Sequence, residues 1–143
     1  MTPKLTFGLL IIALIGALTF SFSGTQPALA ESEHEVLEHN MEIMGSAFRQ
    51  IRRQARSKKF DQDTLKQLER MQTSALLAMH ANEEEHITKK DDVIQYRSMM
   101  ADLIKKLLDM EIAVLKEDHT AAAACVDDLN TIMKSGHNKY KDH

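Results

Sequence analysis

Two residues of this chain carry the most chemical promise: His137, in the closing MKSGHNKYKDH, and Met41, in LEHNMEIM. His137 falls in register with an apolar helical stripe and is followed three residues later by Tyr140. A histidine that ends an apolar face must find a partner or stay near water. An imidazole facing a thioether admits three chemistries. The methionine can be a flexible core filler, the commonest role of a helical methionine stripe. The pair can ligate a haem iron from both sides, the soft thioether favouring the ferrous state. Or both can join other histidines and methionines around copper or zinc.

Either ligand role needs elements that bring residues 41 and 137 together. After residue 30 the apolar residues recur at spacings of three and four in four segments, the signature of amphipathic helices. In the first, SEHE is a capping box of Ser32 and Glu35, and the stripe runs Leu37, Met41, Met44, Phe48, Ile51, Ala55. RSKKFDQD breaks the pattern, with Asp61 or Asp63 as the next cap. The second stripe is Leu65, Leu68, Gln72, Ala75, Met79, and ANEEEHITKKDD, residues 81–92, is the longest connection. The third is Val93, Tyr96, Met100, Leu103, Leu107, Met110, Val114. After KEDHT the fourth reads Ala122, Val126, Leu129, Met133, Gly136, Tyr140, with His137 beside it.

Short links favour antiparallel neighbours, so the expected fold is all-α, an up-down-up-down antiparallel four-helix bundle. That topology gathers the start of helix 1, the end of helix 2, the start of helix 3 and the end of helix 4 at one end. Met41 lies roughly nine residues into helix 1 and His137 roughly five from the end of helix 4. At about 1.5 Å per residue their depths differ by about 6 Å, close to one turn. The two side chains can face each other, with Tyr96 at the same end.

The rest of the chain narrows the function classes. MTPK, an apolar run from Leu5 to Phe22, and an A-x-A ending at Ala28 and Ala30 describe a secretory signal peptide over residues 1–30. An uncleaved membrane anchor is the competing reading of that run. Cleavage after Ala30 would leave one exported domain, residues 31–143. Without its one leader lysine the chain has 17 basic and 21 acidic residues, a net charge of −4. No basic patch suited to nucleic acid is present. Cys125 is the only cysteine, so no internal disulfide can staple the domain. Stability must come from helix packing, with a cofactor as possible help.

LEHNMEIM and DLNTIMKSGHNKYK resemble the two ends of the cytochrome b562 family, small exported four-helix haem proteins. The resemblance covers the chain after residue 30, with its specific motifs at the two ends. In that family the methionine of an LExNME stretch and the histidine of an HxKY stretch are the axial ligands, which maps them onto Met41 and His137. An aromatic residue early in helix 3 lines the family's pocket, which implicates Tyr96. The resemblance implies one haem b per chain, single-electron transfer and a periplasmic location. Leu37, Met44, Met100 and Met133 would complete the pocket wall. The chain departs from the family pattern at Met100, where a second aromatic is common, at Met133, where well-known members have arginine, and at Gly136, which replaces a bulkier residue. Related c-prime cytochromes attach haem through CxxCH. Here the corresponding positions are Met133 and Gly136, which form no thioether, so the haem would be non-covalent.

Other features read as secondary. ESEH at 31–34 and EEEH at 83–86 have the Glu-x-x-His spacing of di-iron bundles, yet the stripes carry no matching inward carboxylates. His34, His80 and His86 read as solvated and as substitute ligands; His39, His119 and His143 read as exposed. Lys134, Lys141 and Arg97 are candidates to pair with haem propionates. No nucleophile–base arrangement or phosphate loop is present, so no enzyme is expected. The expected protein is a monomer or weak dimer that meets redox partner proteins, not nucleic acid, and not a membrane once its leader is removed. The alternative is a haem-free envelope bundle binding copper, zinc or a protein partner.

Overall fold

The computed structural model describes residues 32–81, 87 and 89–140. The expected signal peptide, the Glu-x-x-His match at 83–86, Lys141 and His143 lie outside them. Four α-helices follow in order: α1 (Glu33–Arg56), α2 (Gln62–His80), α3 (Lys90–Leu115) and α4 (His119–Tyr140). The described residues contain no strand. None of their helices is long and apolar enough to cross a membrane.

Local chemistry starts and stops these helices. The Ser32 Oγ accepts from the Glu35 N–H at 3.2 Å while Glu35 Oε2 accepts from the Ser32 N–H at 2.9 Å, the expected box at the start of α1. Asp61, not Asp63, caps α2. Its Oδ1 takes the Asp63 N–H, and its own N–H is taken by the Thr64 hydroxyl. The α1 and α3 ends share one device. Lys59 N–H reaches the Gln54 carbonyl and Lys58 N–H the Ala55 carbonyl; Asp118 and Glu117 repeat this with Ala113 and Val114. That pattern is the Schellman motif, which needs a left-handed residue, here Lys58 (φ 52°) and Glu117 (φ 56°). α3 begins at Lys90, slightly earlier than the polar composition of residues 81–92 suggests.

Cross-helix bonds fix the topology. Residue numbers rise along one helix as they fall along the next: Ala78 with Tyr96 and Gln72 with Glu111 between α2 and α3, and Gln95 with Lys139 and Lys106 with Asp128 between α3 and α4. α1 and α2 are joined at their turn by Gln54, which bonds both Asp63 and Thr64. The result is the expected up-down-up-down antiparallel four-helix bundle. Consecutive helices pack closely, and α1 and α4 are the least closely packed of the neighbouring pairs.

The core runs through Met44, Ile51, Leu68, Met71, Met100, Leu107, Met110 and Leu129. The stripes of α1 and α3 face it as expected. α2 is turned slightly from its expected stripe: Leu65, Gln72 and Met79 are half-buried, while Thr64, Gln67, Met71, Ser74 and Ala78 are buried. Small residues let the α2 backbone approach its neighbours, and Thr64 and Gln67 are hydrogen-bonded, Thr64 to Gln54 and Gln67 to Asp63. Cys125 is buried against the core, and that burial pushes its thiol pKa up.

Candidate functional site

At the end where α1 and α3 begin and α4 finishes, an apolar-lined cavity of about 420 Å³ opens. Leu37, Met41 and Met44 contribute from α1, Tyr96 and Met100 from α3, and Met133 and His137 from α4. All seven residues singled out from the sequence therefore border one space. It lies among α1, α3 and α4, and of the neighbouring helix pairs α1 and α4 are the least closely packed. Among the described residues no α2 side chain borders it.

Each wall has a physical cause. Tyr96 is 3% exposed, and its hydroxyl donates to the Ala78 carbonyl at 2.9 Å. Ala78 is in the last turn of α2, where carbonyls lack helical partners, so this bond both caps α2 and fixes the Tyr96 ring. Tyr140 meets that ring edge-on, with centroids 5.3 Å apart. Lys139 reaches over the Tyr140 ring and bonds Gln95, tying the end of α4 to α3. Met44 and Met100 form the buried floor, while Leu37, Met41 and Met133 are half-buried. His137 stands at the rim, exposed to solvent. On α1, buried Asn40 precedes Met41 and donates to the Val36 carbonyl at 2.7 Å, which satisfies its amide within the helix.

The sequence stripes did not reveal several lining residues. Met99 and Ile132 border the cavity, as do Ile87 from the α2–α3 connection, His34 and Glu38, while the stripe residues Leu103 and Tyr140 join the wall without having been assigned to it. Met99 and Ile132 sit one position from the stripe residues Met100 and Met133, on the flank that periodicity treats as marginal. The available signal for Met99 was Gly136, since a glycine inside a helix invites the question of what lies over it. Lys134 and Arg97, considered for propionate pairing, do not border the cavity. His39 and His119 are exposed, as expected.

The donors determine what such a space can hold. Among the described residues no three His, Cys, Asp or Glu side chains come together as a metal site. What the cavity offers instead is a thioether on α1, an imidazole on α4 and apolar walls between them. This set fits a flat apolar macrocycle whose metal takes one soft sulfur and one nitrogen. Residues 133 and 136 are Met and Gly, and Cys125 does not border the cavity, so nothing here would attach such a group covalently.

Comparisons with known proteins agree with this chemistry. No curated protein and no solved structure gave a significant match to the chain. A family profile described as Cytochrome b562 matches residues 36–141, nearly all of the four helices. Its members are periplasmic haem b proteins that carry electrons. With four antiparallel helices and that match along their length, the chain belongs to the cytochrome b562 family.

Proposed function

We propose that the chain is a periplasmic b-type cytochrome, exported by residues 1–30, that holds one haem non-covalently between Met41 and His137 and passes single electrons. The observation that carries this reading is the convergence of Met41 from α1 and His137 from α4 on one apolar cavity. Bound haem would supply a one-electron ferric/ferrous couple. His137 would give a ring nitrogen to the iron and Met41 its sulfur, and a thioether ligand raises the potential by favouring the ferrous form. Leu37, Met44, Met100 and Met133 would exclude water, and Tyr96, held by Ala78, would keep one wall rigid. The exposed position of His137 at the rim leaves one side of the site open to a redox partner.

Hemin titration of residues 31–143, recorded oxidised and then reduced, tests this reading. One equivalent should give sharp low-spin bands. His137→Ala should abolish that spectrum, and Met41→Ala should leave a weaker, high-spin complex of lower potential. An unchanged low-spin spectrum in His137→Ala would falsify the ligand assignment. Equal affinity in the Met41→Ala/His137→Ala double variant would instead favour a haem-free bundle that binds copper, zinc or a protein.

A further inference from the structure

Gly136 is buried in the interior of α4, one residue before His137. Its backbone has no positive φ, so no special conformation demands glycine there. The space above it does. A Cβ at this position would lie 2.9 Å from Met99 Sδ and 3.1 Å from Met99 Cε. Ordinary carbon contacts need about 3.5 Å or more. The tip of Met99 therefore rests against the α4 backbone, in the volume that a side chain at 136 would fill.

Both residues border the cavity. Met99 is long, unbranched and flexible, so a Cβ at 136 would move its tip and not the helix. On one side of that tip stands α4; Met100 and Leu103, on the same helix as Met99, are already packed in the core. Met99 is half-buried and borders the cavity, which is the apolar volume open to a displaced tip. We infer that Gly136 is a berth for Met99: it takes the thioether tip out of the cavity and so sets the width of the slot on the His137 side. Met99 is here a positioning residue and not a ligand, because its sulfur lies against α4, the wall from which His137 also comes. The pair is a specificity device, matching the cavity to a flat apolar ligand. Its consequence for haem rests on the function proposed above.

The test combines two measurements on wild type, Gly136→Ala and Met99→Ala/Gly136→Ala. The first is NMR of the haem-free proteins with methionine methyls labelled. In wild type the Met99 methyl should contact the Gly136 α-protons; in Gly136→Ala it should contact the Tyr96 ring instead. The second is hemin titration alongside thermal melting. Gly136→Ala should weaken hemin binding by about fivefold or more, the low end of the cost of forcing an extra group into a packed apolar site. The melting temperature of its haem-free form should hold or rise, because alanine favours helix over glycine. The double variant should recover affinity, since the displaced side chain is gone. A purely structural role for Gly136 would lower melting and affinity together. The inference is overturned if Gly136→Ala binds hemin as wild type does, if the double variant binds no better than Gly136→Ala, or if the Met99 methyl turns to solvent. Failure of wild type to take up hemin would overturn the haem reading alone, and the methyl contacts would then decide the berth.

Discussion

Tyr96 shows how one side chain serves two ends of the same problem. Its ring forms a wall of the cavity, and its hydroxyl satisfies the Ala78 carbonyl in the last turn of α2. Tyr96→Phe keeps the ring and removes the bond. It should cost about 1 kcal/mol, the usual net worth of such a hydrogen bond, and lower the melting temperature by roughly 4 °C for a domain of this size. Hemin should still bind at one equivalent. A melting temperature equal to wild type would mean that water replaces the hydroxyl at Ala78. Gly136 illustrates the opposite economy: it gives up about 1 kcal/mol of helix propensity relative to alanine, and a neighbour fills the vacated volume.

At the scale of the element, the helix ends are where local rules are least obeyed. The Schellman turns closing α1 and α3 place Lys58 and Glu117 in the left-handed region, where a side chain costs roughly 1–2 kcal/mol. Glycine carries no such penalty, though it raises the entropy of the unfolded chain. Lys58→Gly and Glu117→Gly should each therefore stabilise the haem-free protein by a few tenths to about 1 kcal/mol. Urea unfolding at constant m-value would measure this, and a lower midpoint in both variants would contradict the turn geometry. In the sequence both ends were placed by the breaks at RSKKFDQD and KEDHT, not by any turn residue. A Schellman turn is normally announced by glycine, and here lysine and glutamate stand in its place.

At the scale of the molecule, the cavity is a cost of the fold that a ligand would offset. α1 and α4 are the least closely packed neighbouring helices, and an apolar space of about 420 Å³ opens beside them. A ligand that binds only the folded bundle stabilises it by mass action, about 2.7 kcal/mol when free ligand is a hundredfold above its dissociation constant. Hemin at that excess should raise the melting temperature by roughly 10 °C or more. A melting temperature independent of hemin concentration would show that the cavity is not a haem site. The other side of the bundle has its own ties: Lys106 lies 3.1 Å from Asp128 and 3.6 Å from Asp109. The Asp128 hydrogen bond holds the Lys106 pKa above its ordinary value. These groups are solvent-exposed and salt-screened, so they register the helices more than they stabilise them.

Helix number, the apolar faces of α1 and α3, the Ser32–Glu35 cap and the ends of the chain that carry Met41 and His137 were all legible in the sequence. Each depends on residues within a few positions of one another, and helical periodicity converts such spacing directly into a face. Three things were decided only when the helices packed. α2 buries Leu68, Met71 and Ala75 together with Thr64, Gln67, Ser74 and Ala78, and leaves Leu65, Gln72 and Met79 on its flanks, a rotation set by its packing against α1 and α3. Met99, Ile132 and Ile87 became wall residues through the relative height and rotation of α1, α3 and α4, quantities that no single helix encodes. And Gly136, which looked like a weak point before His137, acquired a purpose from a methionine 37 positions earlier in the chain. Periodicity is a property of one helix, whereas a cavity is a property of several.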